Sequence, residues 1–260
     1  MKKIAFSIIV LTLISITMNW QVNGNNYSKS KKTSQFSPKM NIPITPEELL
    51  KHITWISQAC VRIQYQDLII YSDPYLISNK ETADIIIITH LHGDHLSIED
   101  IDKLFVKGKT RIIAAEACAE KLKKYEESVT YLNPDQRVTF SDIEFHAVRA
   151  YNIVKTNHPK SSNFIGMIMN IDDVLLYITG DTERIPEMTT NICDIIMLPL
   201  GQVYTMNSVD EAVQAVLDTK AKIAVPIHYG LYEGKLDDAL SFKKKLEGKV
   251  KVEIMTPTSK

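Results

Sequence analysis

Asp84-Ile85-Ile86-Ile87-Ile88 runs straight into Thr89-His90-Leu91-His92-Gly93-Asp94-His95. Four consecutive β-branched residues read as a strand buried on both faces, the kind found inside a parallel sheet. The loop leaving the C-terminal end of such a strand is where α/β proteins place their chemistry. The chain has seven histidines, and three of them fall between His90 and His95, beside Asp94. Imidazole and carboxylate are the donors that borderline divalent metals take. In an extended loop, His90 and His92 face one side and can grip one ion. Gly93 lets the backbone bend sharply, and Asp94 and His95 then turn toward a second position. The spacing therefore offers ligands to two adjacent metals. The zinc motifs H-E-x-x-H and H-x-x-E-H sit on helices; the preceding strand and Gly93 argue for a loop instead.

Two further donors stand at strand ends. Asp181 follows Tyr177-Ile178-Thr179-Gly180, and His228 follows Ala224-Val225-Pro226-Ile227. Taken alone, Gly-Asp after a strand is as readily a turn, and a lone histidine is more often structural. The segment T-H-L-H-G-D-H, however, resembles the signature of the metallo-β-lactamase superfamily, and the likeness extends over about Ile53 to Pro257. The resemblance makes Asp181 the carboxylate that bridges two ions and His228 the last histidine. The implied metal set is His90, His92, Asp94, His95, Asp181 and His228. Trp55-Ile56-Ser57-Gln58-Ala59-Cys60-Val61-Arg62-Ile63 resembles the early strand-turn-strand of the ascorbate-6-phosphate-lactonase-like branch, which has Gly-His where this chain has Ser57-Gln58. Asp73 looks like the family's buried aspartate that holds the metal loop; from the residues alone it is equally a turn residue before Pro74.

One departure stands out. The family supplies a third histidine to the first metal from the strand end near Ala150, where this chain has Ala150-Tyr151-Asn152. His146 alternates with its neighbours along a strand and reads as a face residue. His158, beside Pro159 in a polar loop over 150–163, can swing in. If it does not, the ion held by His90 and His92 keeps water or the Asn152 oxygen and binds more weakly.

The order of elements supports the same architecture. Thr45-Pro46-Glu47-Glu48 starts a short helix. Three short strands follow over 53–57, 60–65 and 68–72, then the central strand and a helix from Ser97. Next come a strand over 111–115, a helix over 116–125 and a short strand over 129–132. Strands over 137–140 and 143–149 pair around Ser141-Asp142, and those over 164–171 and 174–179 form a hairpin at Asp172-Asp173. A strand at 194–198, a helix capped by Ser208, a strand at 222–226, a helix over 236–246 and a last strand over 250–255 complete the chain. This order suits an α/β fold of two mixed sheets with helices outside, and the resemblance implies an αββα sandwich. No internal repeat is visible in the sequence.

The N-terminus reads as a leader. Lys2 and Lys3 precede an apolar run from Ile4 to Met18, and Val22-Asn23-Gly24 is a small-residue cleavage site. The run is short of the roughly 20 apolar residues that a membrane span needs. The expected organisation is a signal peptide over 1–24, a polar lead-in over 25–44 and one hydrolase domain over 45–260, exported to the periplasm or the medium without stable membrane association. Loss of Lys2 and Lys3 moves the net charge from -1 to -3, which speaks against a nucleic-acid partner. Cys60, Cys118 and Cys193 are too few and too scattered for a disulfide framework. Nothing points to an oligomeric state.

The expected function is a metal-dependent hydrolase, with two zinc ions per chain, or manganese or iron in their place. It would use a metal-bound hydroxide on a small-molecule lactone, ester or phosphoester. Asp94 would orient or deprotonate the water, and Tyr229, with Tyr151 and Tyr204, would donate to the oxyanion. The rival readings are a β-lactamase-type amide hydrolase, a non-catalytic exported metal-binding protein, and an iron-dependent redox use of the same fold.

Overall fold

A computed structural model describes residues 43–259; the leader expected over 1–24, and most of the lead-in, lie outside the described residues. Six strands form one sheet in sequence order: β1 (Ile53–Ser57), β2 (Cys60–Tyr65), β3 (Leu68–Ser72), β4 (Ile85–Ile88), β5 (Arg111–Ala115) and β6 (Val129–Leu132). Seven form the other: β7 (Arg137–Phe140), β8 (Ile143–Arg149), β9 (Ile165–Ile171), β10 (Val174–Ile178), β11 (Ile195–Pro199), β12 (Ile223–Ile227) and β13 (Lys251–Val252), again neighbours in sequence order. In each sheet the early strands pair antiparallel and the later ones parallel. The two halves thus share a topology that no sequence repeat announces. One continuous apolar core draws on both sheets.

The helices are α1 (Pro46–Lys51), α2 (Ile98–Leu104), α3 (Ala119–Leu122), α4 (Val209–Asp218) and α5 (Leu236–Leu246). Thr45, Ser97 and Ser208 cap α1, α2 and α4, each side-chain oxygen accepting from the third backbone N–H beyond it. The helices and parallel strands explain the apolar runs: every residue of β4, β11 and β12 is buried. Such strands bury side chains on both faces, so alternation disappears. The hairpins turn where expected, Ser141-Asp142 and Asp172-Asp173 all having positive φ, as a type I′ turn requires.

Two elements differ from expectation. Residues 116–128 are not one helix but a 3₁₀ turn, the four-residue α3 and a second 3₁₀ stretch. Tertiary anchors decide this: the Tyr125 hydroxyl donates to Asp102 at 2.7 Å, and the Lys124 ammonium pairs with the same carboxylate. The last strand ends at Val252 rather than Met255. Beyond Glu253 the chain leaves β12 and crosses to the other sheet, where the Thr258 and Ser259 N–H groups donate to Trp55 and Ile56 of β1.

The strand ends that carry the polar residues meet at one edge of the sandwich. Two backbone bonds join the sheets there, Ile165 N–H to the Thr89 carbonyl (3.2 Å) and His228 N–H to the Gln58 carbonyl (3.1 Å). Gly180 has φ +65°, and a β-carbon on it would stand 2.8 Å from the Ile165 carbonyl oxygen. The close approach that presents Asp181 therefore requires glycine.

Candidate metal centre

The loop after β4 is held from below by Asp73, at the end of β3. One Asp73 carboxylate oxygen accepts from the Thr89 N–H (2.7 Å); the other accepts from the Thr89 hydroxyl (2.6 Å) and meets His95 Nδ1 at 2.8 Å. Asp73 is fully buried. The loop thus leaves β4 with His90, His92, Asp94 and His95 all directed to one place.

There they meet Asp181 and His228, which the sequence reading joined to them, and His158, which it left open. The donors form two groups around Asp181. On one side, His90 Nε2 and His158 Nε2 each lie 3.1 Å from His92 Nδ1. On the other, Asp94 Oδ2 lies 3.7 Å from His95 Nε2 and 3.6 Å from His228 Nε2. Asp181 stands between them, Oδ2 being 3.5 Å from His158 Nε2, and Oδ1 being 3.4 Å from both His95 Nε2 and His228 Nε2. Donors bound at about 2.0–2.1 Å to one ion stand roughly 3.0–3.4 Å apart, so these separations are close to those of ligands around two ions. His95 Nε2 and Asp181 Oδ1 are buried with no hydrogen-bond partner among the described residues, as atoms reserved for a metal would be. The residues fit a pair of ions.

The partners behind the donors fix their orientation, which is how proteins tune metal ligands. His90 Nδ1 meets the Thr89 hydroxyl at 3.0 Å, His95 Nδ1 meets Asp73, and His228 Nδ1 meets Glu233 at 3.0 Å. Glu233 is buried and also accepts from the Val203 and Tyr204 N–H groups and the Thr205 hydroxyl. Sequence reading missed Glu233, which sits five residues past His228 in a loop with no motif.

Of the two residues left open for the first ion, His158 is the one whose nitrogen lies beside His92. Asn152 donates through Nδ2 to the Tyr204 carbonyl (2.8 Å), and its N–H donates to the His158 carbonyl (2.8 Å). Through these bonds it buttresses the loop that carries His158, while its Oδ1 is buried with no hydrogen-bond partner among the described residues. That loop is pinned as well by Glu183, a second buried acid the sequence did not flag, which accepts from the N–H groups of Ile153, Val154 and Lys155. His158 is therefore held in place, and the first donor group is not short of a nitrogen. His146 pairs in register with Arg137 on β7 and belongs to none of the donor groups among the described residues.

The electrostatics follow from charge and burial. Burial drives the His90 pKa well below the ordinary imidazole value. Burial is the largest single influence on His95 and His228 and opposes their charge, but the surrounding carboxylates together outweigh it, Asp181 and Asp73 at His95 and Asp181, Asp94 and Glu233 at His228; His95 is held well above the ordinary value and His228 at about 10. Asp94, despite its own burial, is held at about 2 by His228 and His95. Gln58, Asp73, His158 and His228 all adopt positive φ, a conformation that costs non-glycine residues roughly 1–3 kcal/mol and clusters at functional sites.

A cavity of about 570 Å³ opens over the donors, lined by His92, Asp94, His158, His228 and the rings of Tyr75, Tyr204 and Tyr232. The Tyr75 and Tyr232 hydroxyls share a short hydrogen bond at its mouth, which with burial pushes the Tyr75 pKa up to about 12. Tyr229 is not part of this cavity: its ring lies 5.0 Å from that of Trp55 and faces a neighbouring apolar cavity of about 400 Å³. Tyr151 is likewise elsewhere, bonding Glu187 and Lys160. Of the three tyrosines singled out in the sequence, Tyr204 lines this cavity and Tyr151 and Tyr229 do not, because only tertiary packing decides which ring turns inward.

Residues 52–228 match the family model of the beta-lactamase superfamily domain. The chain is 28% identical over 230 residues to a UPF0173 metal-dependent hydrolase of Archaeoglobus fulgidus, covering 79% of this chain and 96% of the relative. Its fold is similar to that of a Parabacteroides distasonis protein assigned as a metal-dependent hydrolase (34% identity, TM-score 0.69, 79% of this chain and 92% of that one). It is similar also to Igni18, a metallo hydrolase of Ignicoccus hospitalis (21% identity, TM-score 0.67, 79% and 94%). With the signature, the two-sheet fold and the clustered donors, these matches place the chain in the metallo-β-lactamase superfamily, as a metal-dependent hydrolase.

Proposed function

We propose that the protein hydrolyses a small lactone, ester or phosphoester at a dinuclear centre, with His90, His92 and His158 holding one ion, Asp94, His95 and His228 the other, and Asp181 bridging. The observation that carries this is Asp181, whose two oxygens face the two donor groups at 3.4–3.5 Å. Bound ions would supply Lewis acidity at the substrate oxygen and lower the pKa of a water to about 7. Asp94, held ionised, is suited to orient that water rather than to keep a proton. The Tyr75–Tyr232 pair leaves one hydroxyl proton free to meet a developing negative charge on the substrate. All seven donors are imidazole or carboxylate, a set that zinc, manganese and iron accept; zinc is our assignment.

With His158 beside His90 and His92, the first donor group has three nitrogens, and a β-lactam is the second reading. Export after removal of residues 1–24 would put the enzyme where such compounds arrive. The test is metal content and turnover together. The purified protein should carry two ions and hydrolyse a member of a panel of lactones, phosphodiesters and β-lactams, and exhaustive chelation should abolish that turnover. Full activity after metal removal would refute the proposal.

A further inference from the structure

Gln58 stands at the turn between β1 and β2 with φ +39°, and it is 2% exposed. Its backbone carbonyl accepts from Trp55 Nε1 (2.8 Å) and from the His228 N–H (3.1 Å). The turn is thereby tied to both sheets, and the side chain is aimed at the metal centre. Its amide Nε2 lies 3.2 Å from His228 Nε2 and 3.4 Å from Asp94 Oδ2. The other end of the amide, Oε1, is buried and has no hydrogen-bond partner among the described residues.

Those two separations match the spacing of the donors themselves, 3.4 Å from His228 to Asp181 and 3.6 Å from His228 to Asp94. They also fall within the roughly 3.0–3.4 Å expected between ligands of one ion. The amide end of Gln58 therefore occupies a corner of the same coordination figure. Glu233 engages Nδ1 of His228, so Nε2 is the ring atom that faces the amide. With no ion between them, the NH2 group is favourably placed against the Asp94 carboxylate. With an ion there, that carboxylate and the deprotonated Nε2 are both committed to it. The NH2 would then direct its positive end at a cation while Oε1 stayed unpaired. Rotation about the last side-chain bond exchanges N and O within nearly the same volume.

We propose that Gln58 is an additional oxygen ligand of the ion held by Asp94, His95 and His228, turning its amide over when metal binds. This rests on the dinuclear reading above. A neutral carboxamide oxygen raises the ligand number of that ion without adding charge, so this ion is held by more protein donors than those three side chains and Asp181 supply. Among the described residues the carboxamide beside the other donor group is Asn152, which meets His158 at Nδ1 (3.3 Å) rather than at the Nε2 that faces Asp181, so Gln58 gives the two sites different coordination numbers.

The full chain, stripped with chelator and titrated with Co(II), gives the test, because d–d absorption reports coordination number directly. The wild-type protein should bind two Co(II), one of them with the weaker visible bands of a site having more than four ligands. Gln58→Leu should weaken one of the two ions by about 10–100-fold and intensify its bands as a ligand is lost, leaving the other ion unchanged. Gln58→Glu, which keeps an oxygen at the same place, should retain the wild-type affinity. Both variants keep the backbone bonds to Trp55 and His228, and their thermal unfolding should match wild type. A Leu variant with wild-type affinities and spectrum would overturn the proposal. So would a Glu variant no better than Leu, since a Gln58 that merely donated to Asp94 would become a carboxylate facing a carboxylate. A wild-type chain that took up no Co(II) would instead overturn the dinuclear reading itself.

Discussion

Glu233 offers the sharpest perturbation outside the metal-ligand set. Its buried carboxylate accepts from His228 Nδ1, two backbone N–H groups and the Thr205 hydroxyl. In Glu233→Ala the Val203 and Tyr204 N–H groups can be rehydrated, because both residues are exposed. His228 and Thr205 cannot, being 2% and 0% exposed. Removing one partner of such a buried charged cluster costs about 3–5 kcal/mol. For a domain of this size each kcal/mol lowers Tm by about 2–4 °C, so a drop of roughly 6–20 °C is expected. Loss of the group that orients His228 should also weaken metal binding by about 10–100-fold. Differential scanning fluorimetry, with and without zinc, reads the first effect; competition against a chromogenic chelator reads the second. Glu233→Gln, which keeps one acceptor oxygen, should fall between. A Glu233→Ala protein melting within about 2 °C of wild type, with wild-type zinc affinity, would refute the account of Glu233 as the anchor of His228. Gly201→Ala should mimic the loss, because a β-carbon there would stand 1.6 Å from the Glu233 carboxyl carbon.

Other outcomes follow from the same geometry. His158→Ala should reduce the metal content measured by mass spectrometry from two ions to about one, whereas His146→Ala should leave it unchanged. Asp73→Asn breaks the contacts to Thr89 and His95 in a fully buried place; a loss of about 3–5 kcal/mol in urea unfolding is expected. The three thiols are buried, which raises the pKa of Cys118 and Cys193 to about 12. A thiol reagent at pH 8 should label none in the native protein and three after denaturation. In the metal-free chain His228 keeps its proton to about pH 10, against an ordinary 6.5. Its stabilising contribution is complete below pH 6.5 and is lost as pH rises through 10, so the urea midpoint of chelator-treated protein should fall across that window. Metal must displace that same proton, so zinc affinity should rise with pH over the same window.

The sequence alone determined the parts of this protein that local chemistry controls. Four isoleucines in a row can only be a strand hidden on both faces, and a loop of three histidines and an aspartate after it can hardly be other than a metal loop. Hairpins at Ser141-Asp142 and Asp172-Asp173 and caps at Thr45, Ser97 and Ser208 were equally legible, because turn and cap energetics depend on neighbouring residues. Asp181 and His228 became legible only through the family resemblance, since a Gly-Asp and a lone histidine carry little local signal. Tertiary structure decided the rest. His158 joins His90 and His92 because Glu183 and Asn152 fold its loop back, through contacts spanning about 30 and 50 residues of chain. Tyr75 and Tyr232, rather than Tyr229, face the cavity because Trp55 claims the Tyr229 ring. Glu233 and Gln58 carry no motif, and their roles exist only where the two sheets meet. A ligand is defined by the direction of a lone pair, and that direction is set by distant partners that no local pattern records.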